Sequence, residues 1–367
     1  MLNAHNEGMS DTTPHAPITI ASEEDYRAVQ EAQREAVTEI LQRATAEGWT
    51  VEERIAPLAE VILPYRRAMT DPANREAEAI RRDDRLQQFG TRATLLSRDE
   101  YPELYAERDR QVAELNAAHN VTYEAPPIYI IEQLRESDGS SLAYSHGLVM
   151  IDADFLQSAP PTQSIAGPLG HELYHRYERA DDVLKARITL ELENNAGILN
   201  SEIALHTIRE EEARADLTAA RLTSPRAMAD GLERATAQST LTRAVTIYFQ
   251  QSRGIVDDGE AINRFNRLTQ EEREHLYASY NQLPQAQRTA IEQEITQSRN
   301  AMEPFSEHPS MPHRIEMLRM LEAHPEILSC KSVEFDGSAN IIEATSCGPD
   351  SVPLVVDGVP TSSRARQ

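Results

Sequence analysis

The stretch Gly170–His175 reads Gly-His-Glu-Leu-Tyr-His and contains the pattern H-E-x-x-H. If this stretch is helical, His171 and His175 lie four residues apart on one face, so both imidazoles can reach the same metal ion. Glu172 follows the first histidine and can accept a proton from a metal-bound water instead of binding the metal itself. The pattern is short and has two free positions, so a chance match in a chain with 11 histidines is the alternative interpretation. The motif alone indicates a metal site without proving it.

A catalytic zinc needs a third protein ligand, because it takes three protein groups and leaves one position for water. Downstream, residues 201–222 follow a helical pattern and include Glu212 and Asp216, again four residues apart. Glu212 can complete a His-His-Glu site, and Asp216 can accept the free ring N–H of a ligand histidine and so fix its tautomer. For Glu212 taken alone, an ordinary solvated face made of the glutamates at 210–212 is an equally good interpretation.

The order of three motifs carries a resemblance to a known family. H-E-x-x-H is followed by E-x-x-A-D at Glu212–Asp216 and by HPSMPHRI at residues 308–315, and Gly170 precedes the first histidine. This order resembles the forty-eighth metallopeptidase family, which includes the CAAX prenyl proteases and the heat-shock membrane protease. Residues 143–151, AYSHGLVMI, resemble the edge strand that lies just upstream of the family's active-site helix. The resemblance covers roughly residues 97–325.

The resemblance implies a gluzincin, in which two histidines and one glutamate hold one Zn²⁺ per chain. The matching positions here are His171, His175 and Glu212. It also implies that His308 lies at the rim of the active site and steadies the oxyanion of the reaction, and that Arg314 makes structural hydrogen bonds. The chain departs from the family's pattern before the edge strand, where Ser141 or Leu142 replaces an asparagine.

The predicted fold class is α+β. We expect a mostly helical, zincin-like metallopeptidase domain with a small antiparallel sheet, preceded by N-terminal helices. The apolar runs at 127–131 and 148–151 predict the strands, with a turn at 138–141 between them. The last of these strands should border the cleft, where an extended substrate could add as a further strand. His146 is interpreted as a histidine of a surface turn.

The active-site helix is predicted to run from about Ser164 to Arg179. Its start is placed there because proline is tolerated near the beginning of a helix, where backbone donors lack partners, and Pro168 must be accommodated. Between Asp216 and His308 the chain predicts several helices beside the cleft. Their tyrosines are interpreted as packing residues: Tyr248, Tyr277 and Tyr280.

The sequence divides into four predicted regions. Residues 1–20 form a disordered tail, and residues 21–96 form an N-terminal helical region. Pro57 and Pro64 fall inside its second helix and predict that this helix is kinked or split. Residues 97–325 form the zinc metallopeptidase domain. Residues 326–367 form a C-terminal hairpin and tail.

Composition narrows the choice of partners. The chain has 36 basic and 60 acidic residues, a formal net charge of −24, which argues against nucleic acid or an anionic membrane as the main partner. It contains no apolar run of 18 residues and no apolar secretory segment near its start, so we expect a cytoplasmic protein without a transmembrane helix. Cys330 and Cys347 are expected to be free thiols in a reducing compartment, and their spacing permits a disulfide if the protein is exported by another route.

These observations leave three functional hypotheses. The first is a zinc-dependent peptidase, expected to be an endopeptidase, that acts on a peptide or protein. The second is a catalytically silent zinc-binding protein of the same fold that serves in binding or assembly, although such a site has no use for the base Glu172. The third is another H-E-x-x-H hydrolase such as a deformylase, which would need an upstream cysteine ligand that the chain lacks.

Overall fold

The structure is a computed structural model. It describes residues 18–71, 73–132, 134, 141–158, 161–177, 181–195, 202–302, 306, 308–336, 338 and 340–345. The chain divides into two compact units, residues 1–81 and residues 82–367. Within the described ranges, none of the helices combines the length and the apolar character needed to cross a membrane.

The first unit is built on a pair of helices, α1 (Glu23–Glu47) and α2 (Val51–Thr70). The Ser22 side chain accepts the N–H of Asp25 at the start of α1, and Gly48 ends the helix in the left-handed conformation with a φ of 70°. Glycine adopts this conformation without the steric cost that a side chain would add. The capping residues of α1 therefore set its bounds.

Helix α2 begins with a capping box, in which Thr50 and Glu53 bond each other's backbone N–H groups. It remains one helix through Pro57 and Pro64, so the predicted split does not occur. The predicted tail at 1–20 lies outside the described residues as far as residue 17. Ile20, by contrast, is buried, and its N–H bonds the Asn74 side chain at 2.9 Å. Ile20, at the end of the predicted tail, is thus held by a contact within the first unit.

Helix α3 (Arg75–Phe89) follows, and the second unit then alternates short strands with helices. Its first half contains β1 (Ala93–Leu95), α4 (Pro102–His119), β2 (Ile128–Ile131), β3 (Leu142–Ser145), β4 (Leu148–Asp152), α5 (Ala153–Ser158) and α6 (Pro161–Tyr174). Its second half contains α7 (Asp181–Asn195), α8 (Glu202–Leu222), α9 (Pro225–Arg253), α10 (Asp258–Phe265), α11 (Gln270–Asn281), α12 (Gln285–Met302), α13 (Met311–Ala323), β5 (Ser332–Phe335) and β6 (Ile341–Thr345). The mostly helical α+β class is confirmed.

The four-stranded sheet is mixed, which corrects the prediction of an antiparallel sheet. Its order is β1-β2-β4-β3, with β2 and β4 parallel and the two outer pairs antiparallel. Strand β3 lies at the outside of the sheet, and β4, which follows it in the sequence, lies between β2 and β3. Runs of apolar residues predict strands, but they do not encode which strand docks beside β2 or in which direction.

The edge strands of this sheet are β1 and β3, and β4 lies inside it, so a substrate cannot add as a further strand beside the last strand, as the sequence predicted. All five residues of β4 are buried, because side chains on both faces of this inner strand pack against neighbours. Val149 and Ile151 face the core formed with α4 and α6, and Leu148 and Met150 face a smaller cluster with Phe89. The tight β3–β4 turn consists of His146 and Gly147, with φ values of 53° and 79°. Two successive positive φ values are typical of a type I′ hairpin turn.

Helix α6 packs against α9 with almost no space between the two backbones. A Cβ atom on Gly167 would lie 2.5 Å from Met228 Cα, and one on Gly231 would lie 2.5 Å from Pro168 Cδ. Helix α6 begins at Pro161, earlier than predicted, so Pro168 lies inside it and cannot donate to the Ser164 carbonyl. Gly231 faces both the proline ring and that carbonyl, because the Cβ it lacks would lie 2.9 Å from Ser164 O. Close packing with α9 thus accommodates Pro168 in the interior of α6, whereas the sequence analysis predicted Pro168 near the start of the helix.

The rest of the second unit surrounds these two helices. Helices α9 to α12 share a core that contains the three tyrosines predicted to pack, Tyr248, Tyr277 and Tyr280. The β5–β6 hairpin packs with α8, α9 and α13 and pairs antiparallel, which confirms the hairpin predicted within residues 326–367. The part of the predicted tail after residue 345 lies outside the described residues.

Candidate metal centre

The C-terminal end of α6 and the turn that follows it carry the first two candidate metal ligands. His171 lies inside the helix, whereas His175 follows its last residue, Tyr174, so the helix ends sooner than the predicted Arg179. The backbone continues as a turn in which the Tyr177 N–H bonds the Tyr174 carbonyl at 2.8 Å. The four-residue spacing is therefore preserved, and the two Nε2 atoms lie 3.2 Å apart.

Helix α8 brings Glu212 to the same point. Its Oε2 lies 3.2 Å from His171 Nε2, and its Oε1 lies 3.8 Å from His175 Nε2. The Glu212 side chain is only 2% exposed, so the alternative interpretation as a solvated helix face is wrong for this residue. Glu210, on the outer side of α8, is 24% exposed and pairs with Arg214. The three groups lie within 4.8 Å of one another and can hold a metal ion.

Asp216, one turn after Glu212, holds the far side of the first histidine. Its Oδ1 lies 2.7 Å from His171 Nδ1, which leaves Nε2 directed at the other two ligands. Burial raises the pKa of the fully buried Asp216, but the charge and hydrogen bonds of Arg314 outweigh burial and the pKa is lowered. For His171 burial acts in the opposite direction and lowers the pKa. The negative charge of Asp216 outweighs burial and raises the pKa of His171 to about 10. Asp216 thus orients His171 and stays ionised.

Glu172 faces a different direction from the histidine beside it, since successive helical residues are about 100° apart. Its Oε2 accepts the backbone N–H of Tyr144, on edge strand β3, at 2.9 Å. Sequence analysis did not identify this contact, because a backbone donor leaves no signal in the residue types. Strand β3 therefore fixes the carboxylate that H-E-x-x-H designates as the base.

His308 lies just before α13, and its side chain is 58% exposed. Its Nδ1 lies 3.0 Å from Glu212 Oε2, so it approaches the metal site from the solvent side. Burial raises the pKa of Glu212, but His308, His175 and His171 together hold it well below the usual range. His313, by contrast, interacts with Ser310 at the start of α13, with 2.8 Å between its Nδ1 and the Ser310 Oγ.

Arg187 is a charged neighbour of the site that sequence analysis missed. It lies on α7, and its Nη2 is 3.7 Å from Glu212 Oε1. No motif contains it, and no periodic pattern in α7 sets it apart from the other charged residues of that helix. Only the packing of α7 against α8 brings it to the ligand.

A cleft of about 490 Å³ opens over the site. His171 and Glu172 line its floor, Ser141 and Leu142 of the β3 edge line one side, and the segment that begins at His308 lines another. Clefts of this size accommodate a small molecule or a short stretch of a larger one. The candidate base and the first ligand therefore both face a space that a substrate can enter.

The residues present fit a metal ion on physical grounds. Glu212 Oε2 is buried and makes no hydrogen bond of good geometry within the described part of the chain, although two ring nitrogens lie near it. Two imidazoles and a carboxylate are the ligand set of known catalytic zinc sites. A cation held by these three groups would satisfy the buried oxygen.

Cys330 takes no part in this centre. It belongs to the buried core beside α13 and is disulfide-bonded, which corresponds to the second of the two states that the sequence left open. The only other cysteine in the sequence is Cys347, which lies outside the described residues.

Comparisons of the chain with protein-family models, curated proteins and solved structures find no match. The residues and the geometry of the site are therefore what indicate its function.

Proposed function

We propose that this protein is a zinc-dependent peptidase of the gluzincin type, resembling the forty-eighth metallopeptidase family. One observation carries the proposal. The ligand atoms of His171 in α6, His175 just after α6 and Glu212 in α8 lie within 4.8 Å of one another. Glu172, next to His171 in the sequence, lines an open cleft. An ordinary glutamate on a solvated helix face would be exposed, whereas Glu212 is buried and contacts both imidazoles.

The chain's own residues support hydrolysis of a carbonyl substrate. Zinc, when bound, supplies a Lewis acid and lowers the pKa of water towards about 7. Glu172 is placed to accept a proton from water in the cleft and to deliver it to the leaving amine. Its Oε2 is held by Tyr144 N–H, while its Oε1 has no hydrogen-bond partner in the described ranges and is available for proton transfer. His308, exposed at the rim, is placed to donate to the developing oxyanion.

The cleft favours a peptide over a smaller substrate. The exposed edge of β3 forms one side of the cleft, and an extended chain can pair with such an edge through backbone hydrogen bonds. This pairing suits a substrate that continues in both directions, so we propose endopeptidase activity on a peptide or protein. The acidic chain, with its net charge of −24, disfavours nucleic acid as a ligand.

The catalytically silent alternative predicts a metal without turnover. The position of Glu172 favours the enzyme, because a structural metal site needs no carboxylate between the metal and an open cleft. The deformylase alternative requires a cysteine ligand, and Cys330 is committed to a disulfide in a separate core.

Metal analysis and one isosteric substitution test the proposal. Purified protein should carry about one zinc per chain, and chelation should stop peptide cleavage. Glu172→Gln should keep the metal and abolish turnover, because the amide cannot take a proton from water. Glu210→Gln, a partly exposed acid on α8, serves as the matched control and should keep wild-type activity. A Glu172→Gln protein that cleaves at the wild-type rate would rule out the proposed base.

A further inference from the structure

The outer part of the cleft differs in chemistry from the part beside the metal site. Near α6, the lining includes apolar side chains such as Leu142, Phe155 and Leu232. Farther out, α9 and α12 line the cleft with three hydroxyl side chains and one guanidinium. These residues, here called the hydroxyl–arginine pocket, are Thr236, Ser239, Thr296 and Arg299.

Arg299 makes one hydrogen bond, from its Nη2 to the Thr240 Oγ1 of α9 at 3.2 Å. Within the described ranges it has no carboxylate within ion-pair distance. The other arginine that lines the cleft, Arg314, is committed to Asp216 through two short hydrogen bonds. The charge of Arg299 is available to a ligand.

A second observation points in the same direction. Thr236 Oγ1 is buried and has no hydrogen-bond partner within the described part of the chain. A buried hydroxyl without a partner costs free energy, and rotation of the Thr236 side chain towards an acceptor bound in the cleft would remove that cost. Hydroxyl groups beside a guanidinium together supply the donors that a carboxylate accepts.

We propose that the hydroxyl–arginine pocket binds a carboxylate group of the peptide substrate, an inference that rests on the proposed peptidase function. The pocket then makes the enzyme selective for an acidic residue at one position, or for a peptide's C-terminal carboxylate.

The exposure of Arg299 to solvent limits how strongly the enzyme should prefer an acidic peptide. Ion pairs between exposed groups contribute modestly and weaken with salt, so the expected preference is about fivefold in kcat/KM at low ionic strength. A purely structural arginine, which only ties α12 to α9, would give no preference and no dependence on salt.

The test uses a pooled set of unlabelled ten-residue peptides in which one Glu or one Gln occupies each position in turn, with free or amidated C-termini. Cleavage is followed by mass spectrometry. Binding is measured separately, by retention of the same peptides on immobilised, zinc-loaded Glu172→Gln protein. Wild type should prefer Glu over Gln at one position about fivefold, Arg299→Lys should keep the preference and Arg299→Glu should reverse it. Arg264→Glu, an equal charge change outside the cleft, should leave it unchanged.

The outcomes separate the two proposals. A preference for free over amidated C-termini identifies the terminal carboxylate as the ligand, and a preference for internal Glu identifies a side chain. Retention that depends on Arg299, without cleavage by any variant, would keep the pocket and reject the peptidase. Cleavage and retention that are both indifferent to Glu and to Arg299→Glu would overturn the pocket and leave the peptidase intact.

Discussion

Arg314 and Asp216, 98 residues apart in the sequence, form a buried and doubly hydrogen-bonded ion pair. The Arg314 Nε bonds the Asp216 Oδ2 at 2.7 Å, and its Nη2 bonds the Oδ1 at 2.6 Å. The same Oδ1 lies 2.7 Å from the ring nitrogen of His171. The pair thus links α13 to α8 and, through the carboxylate, to the first candidate ligand on α6.

Removing the Asp216 charge should weaken metal binding. Asp216→Asn keeps the shape of the side chain but not the charge that orients His171, so zinc affinity should fall about 10- to 100-fold. Competition with a chromogenic chelator measures this change. Asp230→Asn, an exposed acid on α9 that is 56% exposed, is the matched control. Equal affinities for wild type and Asp216→Asn would show that the carboxylate does not position the ligand.

Removing Arg314 should destabilise the fold. Arg314→Leu leaves Asp216 buried without its partner, which should lower the free energy of unfolding by about 3–5 kcal/mol. Arg319→Leu on the same helix breaks a pair with Glu233 whose side chains are 67% and 44% exposed, and should cost at most about 1 kcal/mol. Denaturant unfolding of the metal-free proteins compares the two. Similar losses for both would contradict the importance of the buried pair.

Substitution of His308 separates an effect on turnover from an effect on the metal. Because His308 lies at the rim, His308→Ala should lower kcat about 10²-fold while zinc content stays near that of wild type. His313→Ala should leave kcat unchanged, since that histidine interacts with Ser310. Steady-state kinetics and metal analysis on the same samples provide both readouts. Loss of zinc with His308→Ala would instead assign the residue to holding Glu212.

The crossing of α6 and α9 should not tolerate a single methyl group at Gly231. Gly231→Ala places its Cβ 2.5 Å from Pro168 Cδ, so the helices must shift, at a cost of about 1–3 kcal/mol. Gly259→Ala in α10 meets only a side-chain oxygen of its own N-cap, Asp257, at 3.3 Å, and should be neutral or stabilising by up to about 1 kcal/mol. Thermal unfolding distinguishes them. A neutral Gly231→Ala would show that the two backbones are not in close contact.

Stability should also depend on pH through Glu107, which helps tie α4 to α6. Burial raises the pKa of Glu107, but hydrogen bonds from Arg110 and Gln111 outweigh burial and lower it. Gln111 also donates to the Ala166 carbonyl of α6 at 2.8 Å. Because the folded-state pKa is lowered, this contribution is present above the ordinary value of 4.5 and is lost as pH falls through the folded-state value.

Glu107→Gln tests this linkage. At pH 7 the variant should melt at most about 2–4 °C below wild type, since an exposed pair contributes little. The gap between the two melting temperatures should close as the pH falls from the ordinary value of 4.5 through the lowered folded-state value. A gap that stays constant with pH would assign the effect to packing instead of charge.

Local sequence determined the elements and the spacing of the site. The N-caps Ser22 and Thr50 fixed the starts of α1 and α2. A capping hydroxyl accepts the free backbone N–H three residues later, and this bond does not depend on the rest of the fold. The four-residue spacing from His171 to His175 also acts locally, because one helical turn brings residues four apart to the same face and so places the two imidazoles together. The E-x-x-A-D pattern also placed Glu212 and Asp216 on one face of α8.

Only the tertiary structure decided which of these groups meet. Burial of Glu212, the approach of Arg314 and the Tyr144 N–H on Glu172 each join residues far apart in the sequence, and no local periodicity encodes such contacts. The same holds for the sheet, where β4 entered beside β2 because the β3–β4 hairpin docked through its second strand. Pro168 was tolerated inside α6 because Gly231 of another helix leaves room for it. Local hydrogen bonding is a property of neighbouring residues, whereas packing between distant elements depends on the shape of the whole chain.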